Sequence, residues 1–342
     1  MSDVVVPLVP DRAGPSERPR LSTYIVTGCA GFIGSHLAET LLQRGDAVIG
    51  IDAFTDYYPV ALKHANLEHL LARRGFIFLK SDLVDAPLGA LVPGVDGVFH
   101  LAAQPGVRGS WGLGFDIYAR DNLLATQRVM EAAAAAEVRV VFASSSSVYG
   151  DAPSYPTTED SPLRPVSPYG VTKLCCEHLA HAYAAFRGLD AVGLRFFTVY
   201  GPRQRPDMAV QRIARAVVDG HRFRLYGSGE QSRDVTYVDD AVTAAIAAME
   251  SAPTGAVYNV GGGGETSLRR IIELCEELGA GVVEIECGAV AAGDVRRTAA
   301  DTSRIRADLG WSPQTPLEEG LISQLAWTMS RRAWAEPAAY TG

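Results

Sequence analysis

The chain of 342 residues predicts an α/β fold, a doubly wound parallel sheet with a smaller second α/β domain. Three observations carry this. Short β-rich runs alternate with helix-compatible stretches from residue 21 onward. A glycine-rich loop beginning at Gly28 follows the first run and opens the first helix, as in Rossmann-type folds. Residues 138–144 form a continuous apolar run of the kind that a parallel sheet buries on both faces.

The elements follow in order. Residues 21–27 read as the first strand and 33–43 as the helix behind the glycine loop. Strands are expected at 47–52, 76–80 and 97–101. An alanine-rich stretch at 115–137 predicts one long helix, because alanine is the best helix former. After the 138–144 strand, Pro168 opens a helix to residue 187, and a strand at 191–197 follows. From Thr198 the pattern loosens, with shorter helices at 208–219, 239–249 and 268–278. The expected division is a flexible tail at 1–20, a dinucleotide domain at 21–197 and a substrate domain at 198–330. Residues 234–262 are expected to return to the first domain through a strand at 257–260, and 331–342 read as a second tail.

Composition narrows the function classes. Apolar residues make up 47% and charged residues 20%, ordinary for a globular enzyme. A net charge of −8 argues against general nucleic-acid binding, which needs clustered Lys and Arg. No apolar run approaches the roughly 20 residues that span a bilayer. The five cysteines show no metal spacing, so no metal site is expected, and reduced thiols fit a cytoplasmic protein.

Gly28, Gly31 and Gly34 let the backbone turn tightly and approach a pyrophosphate at the helix N-terminus. Asp52 ends the next strand, 18 residues after Gly34, where a carboxylate accepts from an adenosine ribose and repels a 2′-phosphate. NAD is therefore favoured over NADP. Asp82, after the third strand, is placed to meet the adenine edge. Phe32, Ile33, Leu83, Leu101, Ala102 and Ala103 complete the expected cofactor lining.

The chemistry lies downstream. Four serines, Ser144 to Ser147, leave the buried strand just before Val148-Tyr149-Gly150. Tyr169 and Lys173 stand four residues apart on the Pro168 helix, hence on one face. An ammonium beside a phenol favours the phenolate, giving a base near neutrality. Such a base beside a nicotinamide suits removal of hydride from a carbinol carbon.

At these residues, and from about 22 to 315, the chain resembles the extended short-chain dehydrogenase/reductase family of nucleotide-sugar enzymes. The resemblance implies that Tyr169 takes the C4 hydroxyl proton while NAD takes the C4 hydride. It implies that Ser145 hydrogen-bonds the reacting oxygen, that Lys173 holds the nicotinamide ribose, and that Asn122 stands near the cofactor. It also implies a homodimer formed through the helices at 115–137 and 168–187.

Members that dehydrate the sugar carry an Asp-Glu pair before Val-Tyr-Gly, and uronate decarboxylases carry a glutamate there; here the positions are Ser146 and Ser147. Without a carboxylate, epimerisation remains. The segments around Asp56-Tyr57-Tyr58-Pro59, Gln104 to Arg108 and Thr198 to Ala209 resemble UDP-glucuronate 4-epimerases, which implies UDP-glucuronate and UDP-galacturonate as ligands. By that resemblance Ser146, Ser147 and Thr198 cradle the uronate carboxylate, with Arg205 nearby. Arg108, Arg212, Arg233 and Asp294 are assigned to the rest of the substrate, Arg233 at the diphosphate. Arg203 is open as a bystander. The chain departs from the pattern at Gly109, Trp111 and Ala291. Three other readings stay open: UDP-glucuronate decarboxylation, epimerisation of a neutral UDP-hexose, and an NAD-sensing regulatory protein without turnover.

Overall fold

The computed structural model describes residues 21–288, 293 and 295–331; both expected tails, Ala291 and Asp294 lie outside the described residues, apart from Arg331. The strands are β1 (Thr23–Thr27), β2 (Ala47–Asp52), β3 (Phe76–Lys80), β4 (Gly97–His100), β5 (Val140–Ser145) and β6 (Ala191–Phe196). They continue with β7 (Thr198–Tyr200), β8 (Phe223–Tyr226), β9 (Ser232–Tyr237), β10 (Val257–Val260), β11 (Glu265–Ser267) and β12 (Ile285–Gly288). Helices α1 (Phe32–Gln43), α2 (Val60–Leu71), α3 (Leu88–Leu91), α4 (Phe115–Tyr118), α5 (Ala125–Ala136) and α6 (Pro168–Arg187) belong to the first half. The second half has α7 (Ala209–Asp219), α8 (Val238–Ser251), α9 (Leu268–Gly279), α10 (Ser303–Leu309) and α11 (Leu317–Ser330).

The main sheet has seven strands in the order β10-β6-β5-β4-β1-β2-β3. Every neighbour pair in it is parallel, in keeping with β6 being buried throughout and β5 at every position but Ala143. One core lies against α1 and α8, the other against α5 and α6. Strand β10 pairs with β6, so the chain does return to the first sheet after crossing to the second half. There α7, α9 and α11 enclose a core of their own around Tyr200, Ile213, Ile271 and Leu321.

The order reverses between β1 and β4, and in open α/β sheets the ligand crevice forms at that point. A buried relay fastens it. The Thr27 hydroxyl oxygen accepts from the amides of Leu101 (3.2 Å) and Ala102 (3.1 Å), so its own hydrogen goes to His100 Nδ1 at 2.9 Å. His100 Nε2 then donates to Thr126 Oγ1 at 3.0 Å. This arrangement needs a neutral ring, and burial, helped by Lys173, pushes the imidazole down to about 3. The unfolded chain takes up that proton below about pH 6.5, so stability is full above that value and falls as pH drops toward 3. The expected slope in denaturant titrations is up to about 1.4 kcal/mol per pH unit, flattened in His100→Gln. Parallel profiles for the two proteins would refute it.

One element differs from expectation. The stretch 115–137 is not a single α-helix: residues Ala119–Leu124 form a widened π turn between α4 and α5. Such bulges concentrate at functional sites, and this one presents Asn122 to the main chain at Gln104. Helices α2, α3, α10 and α11 and strands β7 to β9, β11 and β12 are not among the elements expected from the sequence.

Candidate active site

The cleft at the carboxyl ends of the strands encloses about 390 Å³ and runs from Gly28 to Met208. Its cofactor side is built by close approach. Gly28 takes a left-handed φ of 71°, and a Cβ there would lie 2.9 Å from the Ala102 amide nitrogen. At Gly34 a Cβ would fall 2.2 Å from the Gly28 carbonyl oxygen. Only glycine lets β1, the loop and α1 meet this tightly, and the resulting cradle suits a pyrophosphate. Asp52 lines the cleft while accepting from the amides of Ala30 (3.1 Å) and Phe54 (2.8 Å). Asp82 lines it too, steadied by the Val84 amide and Arg120. Phe32, Ile33, Leu83, Leu101, Ala102 and Ala103 complete that wall.

Asn122 does not reach the cleft. It is buried one layer behind, accepting from the Gln104 amide (2.7 Å) and donating to the Thr172 hydroxyl (2.9 Å). Its role is to join the loop after β4 to helix α6. Lys63, which sequence reasoning missed with α2, does line the cleft; its ammonium donates to the Thr55 carbonyl at 2.7 Å. The pattern Val60, Leu67, Leu70, Leu71 behind Pro59 was the available signal for that helix.

Strand β5 delivers the serines. The Ser145 hydroxyl accepts from the Ser147 amide and donates to the Ser147 hydroxyl, both at 3.1 Å. Behind them a buried Arg195–Glu177 pair (2.8 Å) holds the Ser144 hydroxyl through Glu177 and the Tyr149 hydroxyl through Arg195, fixing the strand exit. Ser167 caps α6 by accepting from the Gly170 amide at 3.1 Å. A Cβ on Gly170 would lie 2.6 Å from the Ser147 carbonyl oxygen, so α6 starts flush against the serine turn. Tyr169 is thereby set into the cleft, its ring edge-on to Tyr118 at 6.2 Å. Lys173, buried, donates to the Ala143 carbonyl at 2.9 Å and also lines the cleft.

The substrate side gathers some assigned residues and not others. Ser145, Ser146, Ser147, Tyr169, Thr198 and Arg205 share the cleft. The Arg205 guanidinium forks onto Asp207 with two 3.0 Å bonds, and the Tyr57 hydroxyl donates to the same carboxylate. Arg108, Arg212 and Arg233 do not line it. Arg108 stacks on the Tyr226 ring at 4.2 Å, Arg224 at 5.6 Å, and Arg212 donates to the Arg224 carbonyl. Burial, and then Arg108 and Arg224 against the pull of Tyr226 and Asp207, lowers Arg212 from its ordinary value, as expected where cations converge. Arg224 was not singled out in the sequence, whereas Tyr226 opens the loop, running to Asp234, whose resemblance implies contact with the UDP moiety. Arg233 instead donates to the carbonyls of Ser232 and Arg296. Gly109 has a packing reason: a Cβ there would lie 3.1 Å from the Tyr118 hydroxyl.

A dinucleotide cradle and a Tyr–Lys–Ser set opening on one cleft define a nucleotide-dependent enzyme acting at a carbinol carbon. Residues 24–261 match the NAD dependent epimerase/dehydratase family, and the chain belongs to it. It is 44% identical over 310 residues to a Bacillus subtilis (strain 168) protein named as an uncharacterized UDP-glucose epimerase, covering 90% of this chain and 98% of that protein. The crystal structure of UDP-glucuronic acid 4-epimerase from Bacillus cereus with UDP-glucuronic acid and NAD superposes with a TM-score of 0.87 at 38% identity, covering 90% and 99% of the two chains. MoeE5 in complex with UDP-glucuronic acid and NAD gives 0.81 at 42% identity, covering 91% and 99%.

Proposed function

We propose that the protein is a UDP-glucuronate 4-epimerase, interconverting UDP-glucuronate and UDP-galacturonate through a 4-keto sugar. The observation that carries the choice is the hydroxyl row beside Tyr169: Ser146, Ser147 and Thr198 share its cavity, with the Arg205 guanidinium. Hydroxyls and a guanidinium suit a carboxylate, and the missing acidic pair removes the proton donor that dehydration needs.

NAD, when bound, supplies reversible acceptance of the C4 hydrogen, and the glycine cradle with Asp52 is shaped to hold it. Tyr169 exchanges the O4 proton, Ser145 hydrogen-bonds the same oxygen, and Lys173 fixes the cofactor edge beside them. The keto sugar then turns within the cleft to present its other face. Oxidation at C4 makes the uronate a β-keto acid, which loses CO₂ most easily when the C5–C6 bond aligns with the carbonyl π system. The grip by Ser146, Ser147 and Thr198 holds the carboxylate out of that alignment. Arg108, Arg212 and Arg224 around Tyr226 take the diphosphate end. A second copy of the chain sits against the π turn, α5 and α6, where Leu124 and Val171 stand exposed.

Purified protein incubated with UDP-glucuronate and no added cofactor should yield a mixture of the two uronates and run as a dimer by light scattering. Formation of UDP-pentose alone, or turnover only of UDP-glucose, would overturn the reading; a monomer would remove the second copy.

A further inference from the structure

Arg203 and Arg205 are two residues apart on one loop, yet their guanidiniums go to opposite sides. Arg205 enters the cleft. Arg203 has a left-handed φ of 64°, uncommon for a residue with a side chain, and this turns it toward α1. There it pairs with Glu39 at 2.6 Å and donates to the Ser35 hydroxyl at 3.4 Å. Glu39 is also bonded to His69 of α2 at 3.0 Å. One position before Arg203, the Pro202 carbonyl accepts from His36 Nε2 at 2.9 Å. Ser35 and Glu39 stand one turn apart, and His36 adjoins them, so one face of α1 receives the loop.

Helix α1 begins at Phe32, inside the dinucleotide cradle. The loop it catches leads from Thr198 to Arg205, the residues on the uronate. We propose that Arg203 is a positioning residue which, through Glu39, ties the uronate grip to the cofactor helix so that the two ends of the reacting pair keep one register. The register matters because an ångström of misplacement at a reacting centre can cost about a hundredfold in rate. The proposal rests on the epimerase reading for its product effects, though the tie itself is a statement about the fold.

The loop has a second anchorage, which makes the tie testable without losing the fold. The Gly201 amide donates to Gln324 Oε1 (2.9 Å), Gln204 donates to the Val199 carbonyl (2.8 Å), and Gln324 donates to Gln204 Oε1 (2.7 Å). Arg203→Gly keeps a residue that tolerates the left-handed backbone and removes the whole side chain, the guanidinium with it. Glu39→Gln removes the charge from the other end. With the NAD-loaded protein, each variant is expected to speed amide exchange across 201–208 about tenfold, and the double variant no further, because both cut one link. In turnover, kcat should fall about tenfold to a hundredfold, with inhibition by UDP unchanged and a larger UDP-pentose fraction. Arg203→Lys should restore part of both effects. Unchanged exchange in the two single variants, or additive losses in the double, would overturn the tie whatever the substrate. Wild-type protein that ignores UDP-glucuronate would instead overturn the functional reading and leave the exchange result to judge the tie.

Discussion

Tyr169→Phe is expected to lower kcat at least about a thousandfold while NAD and UDP-sugar binding stay close to wild type. The substitution removes one oxygen and keeps the ring, which packs edge-on to Tyr118 at 6.2 Å. The helix that carries it is fixed independently, by the Ser167 cap and by the close contact of Gly170 with the Ser147 carbonyl. Loss of turnover would therefore report a missing proton carrier and not a displaced helix. A thousandfold corresponds to about 4 kcal/mol of barrier, within reach of one acid–base group. Steady-state rates with UDP-glucuronate, alongside titration of UDP binding, would decide it. A variant within tenfold of wild type would transfer the proton chemistry to another group.

Gly34→Ala should abolish NAD retention. The added Cβ would lie 2.2 Å from the Gly28 carbonyl oxygen and 2.8 Å from its carbon, both main-chain atoms that no rotamer change can move. Relief requires shifting α1 away from the loop, which opens the cradle and weakens the contact of the helix N-terminus with a pyrophosphate. An affinity loss of at least about a hundredfold is expected, on the order of 3 kcal/mol. Gly89→Ala is the matched control, because a Cβ there meets nothing within 4 Å. Protein-bound NAD after gel filtration, read by absorbance, separates the two. Equal retention would mean that the cofactor does not depend on this loop.

The site was unevenly legible. Residues whose placement in the cleft follows from local geometry were readable: the glycines, Asp52 at a strand end, and Tyr169 with Lys173 on one helical face. The arginines were not. Arg205 and Arg203 carry the same group two positions apart, yet one enters the cleft while the other, at a left-handed backbone angle, pairs with Glu39 of a distant helix. Asn122 was expected beside the cofactor and stands behind the wall, because a π turn within the long helix aims it at Gln104. Lys63 was missed because α2, though a regular helix, has a weak apolar stripe and is recognisable chiefly by what it packs against.

The amino-acid sequence by itself determined the parallel sheet, the dinucleotide loop and the proton-transfer set, since these depend on hydrophobic period, glycine sterics and helical spacing over a few residues. Tertiary structure alone decided which cations line the cleft, how α1 is fastened to the loop between Thr198 and Arg205, and that His100 stays neutral at the crossover of the sheet. Those outcomes depend on partners tens to more than a hundred residues away, whose burial and hydrogen-bond demands no local pattern encodes.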